Sequence, residues 1–473
     1  MSEARTNGTI TVTERLAAFA AGLRWEDLPE PVRERVGILF ADWLGNAIGG
    51  RTQRSTELLA EGLAAAGILD GALRAPGATR TTSPYATAFL SAASAHALDF
   101  DDTHAPSELH PGAPVIAAAL TAAQLVDADI PTLCTGIVAG YEVMTRVSLG
   151  LPATQHADRG FHLTATTGIF GAAAAAGRVL GLDAAGIEDA FGTALSRAAG
   201  SGQHLANGAW TKRYHVGAAA ADGLLAAILA RTGFTGATQA FEGERGFFRM
   251  HSDAPRPDLA IAGLGTVWQI LDTGIKPYPC CRAIHSPLDG LHELIGQGLR
   301  AEDAARIEVG IARRCADIVG IPNERKRDPR NAVDGQFSAH FCLATTLIEG
   351  TLSYRGFDAA LADPRVRELM QRIEVGVDAA AEAAYPKYFA ARVRVTRTDG
   401  SVLESIQPMP LGEPERMVSP AGLRDKFTGL AASVIGEAAA ARLADAVADL
   451  AGSGLGIAEL LELTTPRERV PAA

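Results

Sequence analysis

A chain of 473 residues is too long for one ordinary hydrophobic core, so its length predicts two or three domains. Hydrophobic residues make up 47% and charged residues 21%, which is typical of a folded globular protein and argues against extensive disorder. The net charge of −11 argues against a nucleic-acid-binding surface, which needs clustered Lys and Arg, although a local basic pocket remains compatible with it.

The sequence carries no signal for export or for membrane insertion. Residues 1–13 are polar, and the Ala-rich run 168–182 is interrupted by Arg178, short of the roughly 20 apolar residues that cross a bilayer. None of the five cysteines forms a CxxC pair, and their spacing matches neither an iron–sulfur cluster nor a structural zinc site. We therefore expect a soluble cytoplasmic protein without membrane association.

Apolar residues in the first half recur at helical spacing. A capping box at residues 11–14 opens the first predicted helix. The following helices are predicted over residues 31–50, 58–66, 84–97, 114–126, 131–148, 166–180, 184–199 and 218–231. The Gly and Ala of the helix at 166–180 let neighbouring backbones approach closely, so we place this helix deep in the core.

Two polar loops interrupt this helical pattern. The first is rich in groups that exchange protons near neutral pH, and its side chains are Asp99, Asp101, Asp102, Thr103, His104, Glu108 and His110. The alternative is a solvated loop whose Asp and Thr cap the next helix. The second loop is Gly-rich at 200–204 and is predicted to continue to residue 217.

After residue 270 the pattern changes to strands. Alternating residues predict strands at 306–311 and 372–377, and a hairpin joins 392–396 to 401–406 through Asp399-Gly400, which suits a type I′ turn. Three prolines then mark a linker, and residues 420–463 return to apolar helices that need a partner. The predicted fold is mainly α. A large all-α domain, residues 1–270 with 407–473, carries a smaller inserted α+β domain, residues 271–406.

Two lysines lie in unusually apolar surroundings. Lys212 is close to Trp210 and Tyr214, and Lys276 stands between Ile275 and Pro277. Such a lysine indicates an anionic ligand or a shifted pKa, whereas a lone lysine is usually a solvated surface charge.

Five motifs together resemble the MmgE/PrpD family, which includes 2-methylcitrate dehydratases, cis-aconitate decarboxylases and iminodisuccinate epimerases. They are Leu98-Asp99-Phe100-Asp101-Asp102-Thr103 with His110-Pro111, Gly160-Phe161-His162, Thr211-Lys212-Arg213-Tyr214-His215-Val216-Gly217, Lys276-Pro277-Tyr278-Pro279 and Asp334-Gly335-Gln336-Phe337-Ser338. The resemblance covers nearly the whole chain. It implies a helical domain with an α+β lid, a pocket between them, a homodimer, and neither metal nor organic cofactor.

The resemblance also implies which residues form the site. The expected catalytic residues are Asp99, His110, His162, Lys212 and Lys276. We expect Thr103, His104, Arg213, Tyr214 and Cys281 to bind the substrate. Removing a proton next to a carboxylate builds charge on its oxygens, which the two lysines would stabilise while the imidazoles act as base and acid and Asp99 orients an imidazole.

The predicted function is a cofactor-free hydro-lyase, similar to 2-methylcitrate dehydratase, acting on a small di- or tricarboxylic acid. The alternatives are an epimerase of a small dicarboxylate, which returns the proton to the opposite face, and a cis-aconitate decarboxylase. Cys281 stands where a histidine is expected in the decarboxylase branch. A non-catalytic helical scaffold and a metal site at Asp101, Asp102 and His104 are weaker alternatives.

Overall fold

The structure, a computed structural model, describes residues 10–321 and 324–466. Residues 1–9, to which the expectation of no export signal partly refers, lie outside these described residues. The described residues are mainly helical, with a small mixed four-stranded sheet and a two-stranded one, which confirms the predicted class. Within the described ranges, every helix falls short of the length and apolar character that a membrane span requires.

Helices account for most of the chain before residue 270 and after residue 420. In the first part they are Val12–Gly22, Glu30–Gly50, Arg54–Ala65, Pro84–Ala95, Gly112–Val126, Ile130–Leu149, Ala153–Asp158, Leu163–Val179, Ala184–Leu195, Thr211–Arg231, Phe247–His251 and Pro257–Ile261. In the last part they are Pro420–Ile435, Glu437–Ala448 and Ile457–Leu463. Buried apolar side chains from both parts form one hydrophobic cluster, so the tail packs on the first half as predicted.

The remaining segment builds a second hydrophobic cluster around the sheet. Its α-helices are His285–Gly296, Arg313–Val319, Glu324–Arg327, Ala332–Gln336, Ala339–Glu349, Phe357–Ala362, Pro364–Met370 and Ala379–Ala384. The strands of the described residues are β1 (Thr103–His104), β2 (Thr273–Gly274), β3 (Ala304–Ile311), β4 (Ile373–Val377), β5 (Ala391–Arg397) and β6 (Val402–Gln407). The domain boundaries at 270 and 406 stay a prediction.

The four-stranded sheet has the order β4-β3-β5-β6. β3 and β4, which correspond to the predicted strands at 306–311 and 372–377, lie side by side and parallel, while the other pairs are antiparallel. From Ile307 to Ile311 alternate residues of β3 are buried, as the period of two predicts for a sheet with one face on a core.

The turn between β5 and β6 differs from the predicted type I′. That turn needs a positive φ at both central residues, but here only Gly400 has one, at 85°. The N–H of Arg397 donates to the carbonyl of Ser401 at 2.8 Å, which closes a three-residue loop with Gly400 in the left-handed region. Asp-Gly therefore serves a longer hairpin loop than expected.

The second predicted loop also differs, because its last part is helical. Helix Thr211–Arg231 begins seven residues before the predicted start at residue 218. The polar run that begins at Lys212 lacks an apolar stripe, so its pattern does not predict a helix. It contains no proline, and it forms the first two turns although it ends in Gly217.

The helix Leu163–Val179 lies in the centre of the helical cluster, as its small residues predict. Gly171 faces the backbone of Gly140, and Gly223 of the helix Thr211–Arg231 faces Ile169 and Ala172. A Cβ at Gly223 would lie 2.6 Å from the carbonyl oxygen of Ile169. These glycines set the distance between the central helices.

Replacing Gly223 with Ala is expected to destabilise the protein by about 1–3 kcal/mol, because the added methyl meets backbone atoms that cannot move aside. The control is Gly62, exposed in the helix Arg54–Ala65 with nothing within 4 Å of an added Cβ. Gly62→Ala should instead stabilise by up to about 1 kcal/mol. Thermal unfolding measures both, and a Gly223→Ala protein as stable as the wild type would contradict this packing.

Candidate functional site

The acidic loop after the helix Pro84–Ala95 is fixed by backbone hydrogen bonds. β1 pairs antiparallel with β2, which aligns the loop with the segment that leads to Lys276. His104 and Leu109 exchange N–H···O bonds of 2.9 and 3.3 Å across the turn. The Asp and Thr side chains of the loop are buried, so the alternative of a solvated loop is wrong.

Asp99 is the centre of this loop. Its backbone has a φ of 51°, a left-handed conformation that Asp tolerates better than most residues. One carboxylate oxygen accepts a hydrogen bond from Lys212, and the other accepts one from Lys276 at 3.0 Å. Lys276 also donates to the carbonyl oxygen of Asp99 at 2.9 Å. One carboxylate therefore binds two ammonium groups from distant parts of the chain.

The electrostatics of this triad favour the charged forms of Asp99 and Lys276. Burial alone would raise the pKa of Asp99, but Lys212 and Lys276 outweigh it and hold the pKa well below its usual range. Burial would likewise lower the pKa of Lys276, and Asp99 reverses this and raises it. The triad carries a net charge of +1, which suits the binding of one anionic group.

A further lysine fixes the position of the triad from the C-terminal helix Pro420–Ile435. Lys426 forms a buried ion pair with Asp42 at 2.6 Å. It also donates to the carbonyl oxygens of Phe100 and Lys276, at 2.7 and 3.0 Å. The ammonium group of Lys426 therefore holds two backbone segments of the triad: the segment that carries Asp99 and the segment that carries Lys276.

Three titratable side chains form a network beside the triad. Asp101 accepts a hydrogen bond from Nδ1 of His96 at 2.6 Å, and its other oxygen lies 3.7 Å from Nδ1 of His110. Nδ1–H of His110 donates to the carbonyl oxygen of Asp102 at 2.9 Å. This bond fixes the tautomer of His110, so its Nε2 carries the lone pair.

A second group of imidazoles continues from the first. Nδ1 of His162 lies 3.2 Å from Nδ1 of His215, and the ring of His204 lies 5.5 Å from that of His162. The rings of His96 and His162 are 6.3 Å apart, which connects the two groups. Burial lowers the pKa of both His110 and His162 well below the usual value, so both imidazoles are neutral at neutral pH.

Asp102 joins the acidic loop to the helices Gly112–Val126 and Ile130–Leu149. Its carboxyl group accepts from the hydroxyl of Tyr141 at 2.6 Å and from the N–H of Gly112 at 3.1 Å. Burial and the neighbouring Asp101 and Asp42 raise the pKa of Asp102 to about 8, against the hydrogen bond from Tyr141. The group is therefore mostly protonated at neutral pH, unlike the other two Asp residues of the loop.

The triad and the imidazoles of His110 and His162 line a cavity of about 210 Å³ between the helical cluster and the sheet cluster. The predicted residues that line it are Asp99, Thr103, His104, His110, His162, Lys212, Lys276 and Cys281. Burial raises the pKa of Cys281 to about 11, so it presents a neutral thiol. A larger groove of about 950 Å³, beside the helices Glu30–Gly50 and Pro420–Ile435, contains none of the predicted residues.

Two predicted substrate-binding residues lie elsewhere. The guanidinium of Arg213 is buried and donates to the carbonyl oxygen of Ala97 at 2.7 Å, so it holds the start of the acidic loop. Tyr214 is half exposed and packs its ring 5.5 Å from that of Phe89. Neither lines the cavity, because the helical backbone turns them away from Lys212.

Comparison with known proteins identifies the family to which the chain belongs. The MmgE/PrpD N-terminal domain matches residues 14–260, and the MmgE/PrpD C-terminal domain matches residues 278–451. The chain belongs to the MmgE/PrpD family. It is similar to cis-aconitate decarboxylase of Aspergillus terreus, with 28% identity over 94% of both chains. It is also similar to human cis-aconitate decarboxylase, with 25% identity over 90% of this chain and 89% of the relative.

As a member of the MmgE/PrpD family, the protein is an enzyme that acts on a carboxylic acid. Sequence reasoning had not assigned a role to His96, His204 or His215 in its site. His96 lies on a flank interpreted as an Ala-rich packing helix, and only its distance of five residues from Asp101 could have indicated a contact. Asp101, rather than the predicted Asp99, is the carboxylate that orients an imidazole.

The metal site proposed at Asp101, Asp102 and His104 does not form in this MmgE/PrpD enzyme. His104 is hydrogen-bonded to Ser107 at 2.6 Å, and Asp102 is bound to Tyr141. Within the described part of the chain, one group has ligand atoms close enough for an ion, all within 4.8 Å of one another: His96, Asp101 and His110. Binding there would break the hydrogen bond between His96 and Asp101.

Replacing Lys426 with Met is expected to destabilise the protein by about 3–5 kcal/mol, because Asp42 would stay buried without its counter-ion. Activity should fall as well, since Phe100 and Lys276 lose their shared donor. Thermal unfolding and substrate turnover measure these effects. Lys387→Met, at an exposed position, is the control, and equal behaviour of the two variants would contradict the assignment.

Asp102→Asn should change how stability depends on pH. Because the pKa of Asp102 is raised from 3.8 to about 8 on folding, its contribution is greatest at low pH and is lost as the pH rises through about 8. Asn does not titrate, so the melting temperature of the variant minus that of the wild type should increase between pH 5 and about pH 8.5. The exposed Asp425→Asn serves as control. A pH-independent difference for Asp102→Asn would contradict the buried protonated carboxyl.

Proposed function

We propose that the protein is a hydro-lyase that removes a proton next to a carboxylate of a small di- or tricarboxylic acid and then eliminates water. The observation that carries this proposal is the presence of the Lys212–Asp99–Lys276 triad and the neutral imidazole of His110 on one cavity. The reaction resembles that of 2-methylcitrate dehydratases. The homodimer that the resemblance implies stays a prediction.

The triad supplies the stabilisation that the difficult step needs. A C–H bond beside a carboxylate is very weakly acidic, because the electrons it leaves behind move onto oxygens that already carry a charge. The net positive charge of the triad, whose three side chains are largely buried, stabilises those oxygens in the transition state. Asp99 keeps the two ammonium groups at fixed positions, so they need no rearrangement as the charge develops.

His110 is the base in this proposal. Its Nδ1–H is engaged by the carbonyl of Asp102, which leaves Nε2 as the atom that accepts the proton. The lowered pKa keeps the imidazole neutral and therefore able to act as a base at neutral pH. Asp101, 3.7 Å away, stabilises the imidazolium that forms.

The proton for the departing hydroxyl is the one that His110 has taken from the carbon, because the lowered pKa of His162 and of His215 leaves both of these imidazoles neutral. His162 lines the same cavity, with its Nδ1 against His215, and holds the departing hydroxyl in place while it is protonated. Thr103 also lines the cavity, and its Oγ1 has no partner among the described residues, so it is available to a substrate carboxylate.

The second candidate is decarboxylation of cis-aconitate, which the names of the relatives favour. That reaction releases carbon dioxide first and needs an acid to protonate the resulting carbanion. Two features favour the hydro-lyase instead: the lowered pKa of His110 suits a base, and a thiol of Cys281 occupies the position of the expected histidine.

The decisive experiment is incubation with citrate, 2-methylcitrate, cis-aconitate and iminodisuccinate in deuterated water, followed by NMR. Elimination of water from citrate or 2-methylcitrate is the expected result. Loss of carbon dioxide from cis-aconitate would overturn the proposal in favour of the second candidate. Deuterium uptake into recovered substrate without elimination would indicate the epimerase.

His110→Gln is expected to lower kcat by about 10²–10⁴, the usual contribution of a general base. His292→Gln is the matched control, because His292 lies outside the cavity with its ring stacked on Tyr278. A His110→Gln enzyme of nearly normal kcat would exclude His110 as the base.

Activity measured after dialysis against EDTA should equal that before it, since the lysines provide the positive charge.

A further inference from the structure

The cavity wall carries more positive charge than the triad uses. Among the lining residues that the structure describes, the cations are Lys212, Lys276, Arg282 and Arg314. The two lysines share Asp99. Arg282 is bound to the buried carboxylate of Glu413, through Nε at 3.0 Å and Nη2 at 2.6 Å. Arg314 is therefore the cation to consider for a further anionic group.

Arg314 has N–H groups that are not hydrogen-bonded within the described residues. It is the second residue of the helix Arg313–Val319, which belongs to the sheet cluster, whereas Asp99 and Lys212 belong to the helical part. Its Nη1 contacts Asp158 at 3.0 Å, but that carboxylate is 65% exposed, and such a surface pair is weak. Its Nε is buried and has no hydrogen-bond partner. A guanidinium has five N–H groups, so most of them remain available to a ligand.

Another polar atom of the same cavity also lacks a partner. Oγ1 of Thr103 is buried without a hydrogen bond within the described residues, and this side chain lines the cavity together with Arg314. Buried polar atoms are nearly always hydrogen-bonded in folded proteins. A ligand with oxygen atoms at two positions would bind both Thr103 and Arg314.

We propose that Arg314 binds a second carboxylate of the substrate, while the triad holds the carboxylate next to the reacting carbon. This inference rests on the proposed function and adds the residue that determines specificity for acids with two or more carboxylates. A guanidinium suits this task, because it pairs with a carboxylate through two parallel N–H···O bonds. Asp158 is the counter-ion with which the substrate carboxylate competes.

The test uses three unreactive acids on the same carbon chain: tricarballylate, glutarate and butyrate, which carry three, two and one carboxylates. Calorimetry measures their binding to the wild type and to Arg314→Gln, Arg314→Lys and Asp158→Asn. The control is Arg313→Gln, the exposed neighbour in the same helix. Thermal unfolding of each variant shows that it is folded.

In the wild type, glutarate should bind at least about tenfold more tightly than butyrate, the expected effect of one charged hydrogen-bonded pair. Arg314→Gln should abolish this preference and leave butyrate binding unchanged, and Arg314→Lys should restore part of it. Asp158→Asn should tighten glutarate binding, because it removes the competing carboxylate. Arg313→Gln should behave as the wild type.

An Arg314→Gln variant that keeps the preference, or that weakens glutarate and butyrate equally, would overturn the role of Arg314. Such a result would leave the proposed function intact, since the triad would still bind acids. A wild-type protein that binds none of the three acids would overturn the proposed function, and the role of Arg314 with it.

Discussion

The site depends on one carboxylate that binds two ammonium groups. Lys212 comes from a helix of the first half, Lys276 follows β2, and Asp99 lies in the loop before β1. Two buried lysines would repel each other and lose their protons without a shared anion. Asp99 removes that penalty and leaves one unit of positive charge. The same interaction therefore holds the three segments together and prepares the cavity for an acid.

The surroundings give the remaining titratable groups of the site different charges at neutral pH. The pKa of Asp101 is lowered despite burial, because His96 and His110 are close, whereas that of Asp102 is raised. Adjacent residues of one loop thus have opposite protonation states at neutral pH. The imidazoles stay neutral because they are buried near lysines, so the positive charge is confined to the triad and to the arginines of the wall. This separation allows a base and two cations to share one small cavity.

Much of this arrangement can be predicted from the sequence, and physical reasons explain why the rest cannot. Helical and strand periodicity gives the fold class, and the motifs around Asp99, Lys212 and Lys276 indicate residues that meet. Periodicity fails at Thr211, where a polar segment begins a helix. Arg314 has no motif, since a pair of arginines at the start of a helix resembles any solvated surface. The contact of Lys426 joins positions more than 300 residues from the acidic loop, which no local pattern records.

The position of Lys426 has a consequence for biosynthesis. The nascent chain presents the acidic loop and both lysines of the triad long before the C-terminal helix leaves the ribosome. During that interval the carboxylate of Asp42 lacks its counter-ion, and the carbonyls of Phe100 and Lys276 lack their common donor. Completion of the site therefore waits until Lys426 has been synthesised, and a chain released before Lys426 would lack the group that joins these two segments.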